Sequence, residues 1–180
     1  DACPVDGVYQ AADGQVFIQY IHNDKHEANN SSIAISKSGS LNLNRLFVLT
    51  TGSTASASEA IINGLNPYMD IMLIGSTTHG KPVGMYSWEH QDYVIVPISF
   101  SVANANAEYD YFNGFVPDKY VQDDLKHDFG DVEESMLAEA LFYIENGHFS
   151  DITFSKSIAD RKNEKILFGK KGFTQELNSE

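Results

Sequence analysis

The alternation of apolar and polar stretches along the chain predicts strands and helices in an α/β order. The run RLFVLTT at 45–51 is almost continuously apolar, which is typical of a strand buried on both faces. Residues 56–68 carry apolar side chains at helical spacing, and the run DIMLIGS at 70–76 is again apolar. A strand, a helix and a strand with short connections predict a βαβ unit, in which the two strands lie parallel.

Further strand patterns lie on both sides of this unit. Residues 14–24 have the β-branched and aromatic composition of a strand, and residues 84–91 and 92–103 predict two antiparallel strands joined by a turn. Pro97 in the second of these predicts an edge position or a bulge, because proline has no N–H for the ladder. The fold class is therefore α/β, with a mostly parallel sheet and flanking helices.

One domain is predicted for residues 1–150, followed by a polar extension at 151–180. A chain of 180 residues is long enough for a single sizeable core. Residues 131–146 predict an amphipathic helix that ends before Gly147. Residues 151–180 carry only scattered apolar side chains, so they are interpreted as an appendage to the domain.

The charge of the chain excludes some classes of partner. Its formal net charge is −13, from 12 Lys and Arg against 25 Asp and Glu. This acidity argues against nucleic-acid partners and anionic membranes, which both attract basic surfaces. No apolar run approaches the roughly 20 residues of a transmembrane helix. The single cysteine, Cys3, cannot form an internal disulfide, and a role as nucleophile has little support because no histidine lies near it in the sequence.

The stretch GSTTHGKP at 75–82 nearly matches a phosphate-binding P-loop. A P-loop requires a Ser or Thr after the lysine and a helix whose N-terminal amides hold the phosphates. Here Pro82 follows Lys81, and the next residues have the composition of a strand. The nucleotide-binding interpretation is therefore rejected, and Lys81 needs another explanation.

The predicted βαβ unit brings Lys81 to the edge of the sheet at which the helix begins, near Ser56. A lysine amine can take the proton of a serine hydroxyl when burial lowers the pKa of the amine toward neutrality. A helix start also supplies backbone amides for an oxyanion. A structural alternative stays open: Ser56 and Glu59 match a capping box, and Lys81 would then be an ordinary exposed lysine in a turn.

Two other groups of residues invite a functional interpretation. His22 and His26 are four residues apart with acidic neighbours, which would suit a metal site on a helix, but the stretch leaves a strand and a solvated loop is favoured. The aromatic residues between 108 and 116 could line a peptide groove, although packing within the core or a loop is favoured; they are Tyr109, Tyr111, Phe112 and Phe115.

Two motifs, at their separation in this chain, resemble those of the S41 family of C-terminal processing, or tail-specific, serine peptidases. The first is RLFVLTTGSTASASEAIINGL, in which a small-residue run of the form S/T-A-S-A-S-E opens a helix. The second is DIMLIGSTTHGKPVG, with a G-x-x-T-x-G-K turn. A weaker resemblance extends through YFNGFVPDKYV and GDVEESMLAEALFYI. Residues 15–147 thus resemble the later part of the catalytic domain of this family.

The resemblance implies a Ser/Lys dyad with Ser56 as the nucleophile and Lys81 as the general base. It also implies that the backbone N–H of Ala57 is an oxyanion donor, and that Glu59 and Thr78 support the site. The implied fold is the ββα superhelix of the Clp protease and crotonase families. No cofactor or metal is implied. The substrate would be a protein or peptide recognised at its C-terminus, and the location would be extracytoplasmic in a bacterium.

The chain also departs from the family pattern. Met85 stands where many members place a glutamine that orients the lysine. Residues 1–55 contain no D-L-R-x-N-x-G-G stretch, whose glycine amide completes the oxyanion hole, and the PDZ-like module of many members is missing. We therefore expect an incomplete, C-terminal portion of the enzyme, whose partner is the missing N-terminal part, and weak or no activity for the isolated chain. The alternative is a non-catalytic peptide-binding or scaffold domain that retains the fold.

Overall fold

The computed structural model describes residues 13–36 and 43–151. In chain order the elements are β1 (Val16–Ile21), a 3-10 helix (Asp24–Asn29), β2 (Ser31–Ala34), β3 (Arg45–Thr50), α1 (Ala57–Leu65), β4 (Asp70–Gly75), β5 (Val83–Met85), β6 (Trp88–His90), β7 (Tyr93–Ile95), β8 (Ile98–Ala103), β9 (Lys119–Tyr120) and α2 (Ser135–Asn146). Cys3 and, apart from its first residue, the predicted extension at 151–180 lie outside the described residues. The fold is mixed α/β, as the sequence predicts at this level.

The described residues divide into two compact units. The first takes residues 13–36, 43–46, 56–72 and 80–112, and the second takes 47–55, 73–79 and 113–151. The first contains a four-stranded sheet in the order β2-β1-β8-β5, and α1 packs against β1 and β8. Ile18, Ile62 and Ala103 are buried between them. Apolar spacing along α1 explains this packing, because it places Ile62 on the face that the sheet covers.

The expectation of a mostly parallel sheet is wrong for this first unit. Its strand pairs β1–β2, β1–β8 and β5–β8 are all antiparallel. The physical reason for β5–β8 is a short local return of the chain, which can join only antiparallel neighbours. The two strands predicted for 84–103 each divide into two pieces, and β6 and β7 form a separate two-stranded ribbon. Pro97 lies between β7 and β8, outside both strands, so the chain breaks the strand at the proline in place of a bulge there. A register irregularity lies nearby, between Ile98 and Phe100 of β8, opposite Gly84 and Met85.

Strands β3 and β4 are neighbours in a three-stranded sheet of order β3-β4-β9. The Asp70 N–H donates to the Asn44 carbonyl over 3.0 Å, and the Ser76 N–H donates to the Thr50 carbonyl over 2.8 Å. The donor and the acceptor advance by the same number of residues in the same direction, so the two strands run parallel. The strand β9 also pairs parallel with β4. The predicted βαβ order is therefore present in the structure.

The second unit has its own core around α2. Ile74, Val121, Met136 and Ala140 are buried together, with Phe47 and Phe149 packed against them. The carboxylate of Glu134 caps α2 by accepting from the Met136 and Leu137 amides, so the helix begins later than the predicted residue 131. It ends at Gly147, as predicted, in the left-handed conformation. Within the described ranges, no helix is long and apolar enough to cross a membrane.

Candidate active site

Ser56 occupies the turn that opens α1. It is the N-cap residue of the helix, and its backbone angles are φ 55° and ψ −111°. A positive φ is costly for a residue with a side chain, by about 1–3 kcal/mol, and such residues cluster at functional sites. The turn between a strand and a helix that presents a catalytic serine in other hydrolases is strained in the same sense. The observed backbone is an independent sign that this position is special.

Glu59 connects this turn to the turn that carries Lys81. Its side chain is fully buried. As the third residue of α1 it reaches back to the start of the helix, where Oε2 accepts from the Ser56 N–H over 3.0 Å. The same oxygen accepts from the Lys81 N–H over 2.8 Å, and Oε1 accepts from the Gly80 N–H over 2.6 Å. One carboxylate therefore binds three backbone amides from two turns that are distant in sequence.

These bonds limit how far apart the backbones of Ser56 and Lys81 lie. Both amide nitrogens bind the same oxygen, so the distance between them is at most the sum of the two bonds, about 5.8 Å. A lysine side chain is long enough to cover such a separation. The capping-box interpretation is confirmed for the carboxylate of Glu59, and the same carboxylate also brings together the two residues that the sequence predicts as partners. The structural and the functional interpretation are thus compatible.

Lys81 and its neighbours enter β5 from this turn. The lysine is half-buried, Pro82 is buried, and the strand begins at Val83. A strand after the lysine, in place of a helix, excludes a P-loop, as the sequence predicts. Met85, the residue at the family's glutamine position, is exposed at the end of β5. A thioether is at best a weak hydrogen-bond acceptor, so Met85 cannot orient an amine as a glutamine would.

Thr78 organises the segment that follows β4, within the second unit. Its buried hydroxyl accepts from the Phe115 N–H over 2.8 Å, and its N–H donates to the Phe115 carbonyl. Gly114, at φ 76°, lies so close to the Thr78 carbonyl that a Cβ would clash with it. The His79 N–H donates to the Thr54 carbonyl over 2.9 Å, which joins the turns that follow β4 and β3. Thr78 therefore holds the segment after β4 against the segment that contains Phe115.

Ala57 is the first residue of α1 and is exposed. The first four amides of a helix have no acceptor within the helix, so the Ala57 N–H belongs to the group of donors that can meet an oxyanion. Ala57 directly follows Ser56, the N-cap residue of the helix. Its role as an oxyanion donor stays a prediction.

A buried polar network next to Glu59 is not predicted from the sequence. The Asn104 amide donates to Glu108 Oε2 over 2.7 Å and to Asn63 Oδ1 over 3.3 Å, and the Asn63 amide donates to the Glu108 carbonyl. Tyr111 is buried close by, and its pKa is raised to about 12 by burial and by the charge of Glu59. Only the helical spacing of Glu59 and Asn63, one turn apart, could have indicated that these side chains share a face.

The remaining candidates do not assemble into a site in the described residues. No group of three His, Cys, Asp or Glu side chains in 13–36 and 43–151 could hold a metal ion. His22 stacks on Tyr86 with ring centroids 6.0 Å apart, and His26 lies in the 3-10 helix, so the two do not share a helical face. Among the predicted groove aromatics, Tyr111 is buried and Phe112 is exposed, and their role in peptide binding stays a prediction.

Comparisons with known proteins support an S41-like fold. A Bacteroides fragilis protein assigned to the S41 proteases is 29% identical, with a TM-score of 0.68 over 78% of this chain and 39% of the other. The photosystem II D1 C-terminal processing protease has a TM-score of 0.49 at 16% identity over 64% of this chain and 29% of the other. A lipoprotein from Streptococcus agalactiae has a TM-score of 0.46 at 15% identity over 63% and 43%.

The first of these similarities is the informative one, since the other two are weak. This chain spans only 39% of the length of the S41 protease that it matches. No protein-family model and no curated protein matches the sequence. Over the part that matches, the chain has an S41-like fold.

Proposed function

We propose that the chain carries the nucleophile and the general base of an S41-type serine peptidase. The observation that carries the proposal is the Glu59 carboxylate, which binds the backbone amides of both Ser56 and Lys81. A buried carboxylate that joins these two turns keeps the serine and the lysine within reach of each other. The similarity to the Bacteroides fragilis S41 protease supports the same assignment.

The proposed reaction is hydrolysis of a peptide bond through an acyl-enzyme. The Ser56 hydroxyl attacks the carbonyl carbon while the Lys81 amine takes the proton, and the oxyanion of the tetrahedral intermediate meets the Ala57 N–H. Collapse of the intermediate breaks the C–N bond, and Lys81 gives the proton to the leaving amine. Lys81 then takes a proton from water, which attacks the ester, and Ser56 recovers its proton when the acid leaves. No cofactor takes part.

The backbone strain at Ser56 supports its role as the nucleophile. Ser56 has φ 55° at the start of α1, and a positive φ is a costly conformation for a residue with a side chain. Glu59 and Thr78 are proposed as positioning residues. Glu59 holds the two turns in the first unit, and Thr78 holds the segment before Gly80 through its bonds to Phe115.

The finer features of the proposal rest on the resemblance. They are the ββα superhelix of the Clp protease and crotonase families, a protein or peptide substrate recognised at its C-terminus, and an extracytoplasmic location in a bacterium. The missing N-terminal part of the same enzyme is the proposed partner. Residues 1–55 hold no match to the family's glycine motif, so we expect the isolated chain to react weakly.

One observation favours a second candidate, a non-catalytic peptide-binding or scaffold domain. Met85 is exposed and occupies the position of the glutamine that orients the lysine in many family members. Without that orienting hydrogen bond, the lysine must be held by other groups for the dyad to work. The two candidates differ in a single chemical property, the reactivity of the Ser56 hydroxyl.

Labelling with a fluorophosphonate tests that reactivity. The 180-residue chain and a longer protein that contains it are labelled, and the modified peptide is identified by mass spectrometry. We expect a covalent adduct on Ser56, stronger in the longer protein, that disappears in Ser56→Ala and Lys81→Met. Ser58→Ala is the matched control, because Ser58 is an exposed serine in the same helix. The absence of any adduct in both folded proteins would favour the scaffold, and an adduct that persists in Ser56→Ala would refute the assignment.

A further inference from the structure

We infer that the β6–β7 ribbon is an interface with a second copy of this chain. The ribbon pairs Trp88 with Ile95 and His90 with Tyr93. Directly opposed residues lie on the same side of a ribbon and alternate along each strand, so these four side chains share one face. We call this the ribbon face. Every residue of β6 and β7 is exposed.

The ribbon face exposes several large apolar side chains to solvent. Trp88 is 51% exposed, Tyr93 71% and Ile95 60%. Tyr86 extends the face, since its ring meets Trp88 edge-on at 6.1 Å and contacts Phe100 at 4.9 Å. At 150–250 Å² per aromatic side chain, the three exposed rings alone present about 300–400 Å². That is already the size of the largest apolar patch on a typical monomer.

The area matches what a small dimer needs. Adding Ile95 and His90, two ribbon faces in contact bury about 1,000 Å² in total, near the lower bound for a specific interface. Small-molecule sites are concave, whereas a two-stranded ribbon has no walls, so a flat apolar face fits another flat apolar face better. A second copy of the chain supplies one such face for each face presented, and the two copies can pair about a two-fold axis.

The charge pattern also fits a second copy. The chain has a net charge of −13, yet between Pro82 and Ala103 its only acidic or basic residues besides His90 are Glu89 and Asp92, at the tip of the ribbon. Glu89 pairs with Val94 on the opposite face. When two ribbons pack antiparallel, the acidic tip of each lies over the uncharged base of the other, which avoids repulsion between like charges. The same acidic tip opposes docking on an anionic membrane.

The test compares lysine substitutions on the two faces of one strand. Sedimentation velocity of the 180-residue chain measures dimerisation against concentration, and acrylamide quenching reports on Trp88, the only tryptophan. We expect a reversible dimer in which Trp88 is protected, with salt strengthening association by screening the charge. Ile95→Lys should raise the dissociation constant at least about tenfold. Val94→Lys, next to it but on the opposite face, should change the constant less than about twofold.

Tyr93→Lys provides a second test of the ribbon face, and circular dichroism verifies that each variant is folded. Ser56→Ala should dimerise as the wild type does, so this inference stands apart from the proposed activity. The inference is overturned if the chain stays monomeric at all concentrations. It is also overturned if Ile95→Lys and Val94→Lys dissociate the dimer equally. A monomer whose Trp88 emission shifts to the blue only with an added apolar peptide overturns it too, because the occupant would then be a peptide.

Discussion

Replacing Glu59 with glutamine tests the feature on which the candidate site depends. The two carboxylate oxygens accept three backbone amides, two on Oε2 and one on Oε1. A glutamine keeps one acceptor oxygen and presents an NH₂ group in place of the other. In its least costly orientation the oxygen faces Ser56 and Lys81, and the NH₂ group faces the N–H of Gly80. One bond is then lost, a buried donor is left without an acceptor, and the two remaining bonds lose their charge.

The magnitude follows from these losses. A hydrogen bond to a charged group contributes about 1.5–3 kcal/mol, and an unsatisfied buried donor costs about 1–3 kcal/mol. Because the variant relaxes in part, we expect Glu59→Gln to lower the free energy of unfolding by about 2–4 kcal/mol. Urea denaturation measures this loss. Amide hydrogen exchange by NMR should show faster exchange at Gly80, whose acceptor is replaced by a donor.

Glu139→Gln is the matched control. Glu139 is also buried, and it accepts from the N–H and the hydroxyl of Ser150, all within the second unit. We expect it to lower stability by a similar amount while exchange at Gly80 stays as in the wild type. In a protein that reacts with fluorophosphonate, only Glu59→Gln should slow labelling at Ser56. A loss of stability below about 0.5 kcal/mol, or unchanged exchange at Gly80, would refute the bridging role.

Three further predictions concern backbone strain and charge. Ser56→Gly should abolish labelling yet stabilise the folded chain by about 1 kcal/mol in urea, since glycine accepts a positive φ without strain. Gly75→Ala should cost about 3 kcal/mol or more in the same assay, because a Cβ at φ 131° would clash with the Thr50 carbonyl. Replacing His127 should destabilise the chain more at about pH 5.5 than at about pH 9, since the hydrogen bond that its ring donates to the Asp124 carboxylate raises the pKa of His127.

Each of these has an internal check. Ser58→Gly, inside α1, should destabilise by about 0.5–1 kcal/mol, the opposite sign to Ser56→Gly. Gly130→Ala, at φ 86° with open space around it, should cost only about 1–2 kcal/mol. The pKa of Asp124 is lowered from 3.8 by the Lys126 amide and by His127, and the pKa of His127 is raised from 6.5. The Asp124–His127 ion pair therefore stabilises the folded chain fully between these two values, and the stabilisation is lost as the pH falls through the lowered pKa of Asp124 or rises through the raised pKa of His127. An effect of the histidine that does not depend on pH would contradict this account.

Much of the fold can be predicted from local patterns of apolar and polar residues in the sequence. The apolar runs at β3 and β4, with a segment of helical apolar spacing between them, were sufficient to predict that the two strands pair in parallel. Short connections between a strand, a helix and a strand leave few other topologies. The end of α2 before Gly147 and the break between strands at Pro97 follow from the conformational limits of single residues. The antiparallel sheet of the first unit does not follow, because the pairing of β1 with β8 joins residues 80 or more positions apart.

The sequence by itself determined the candidate pair, since the spacing of Ser56 and Lys81 around a βαβ unit is a local property of two motifs. The role of Glu59 was visible only in part, because a capping box accounts for its position without any distant partner. Only the tertiary structure decided that its carboxylate also receives Gly80 and Lys81. A buried carboxylate can accept several donors at once, and which donors surround it depends on how the chain returns in space.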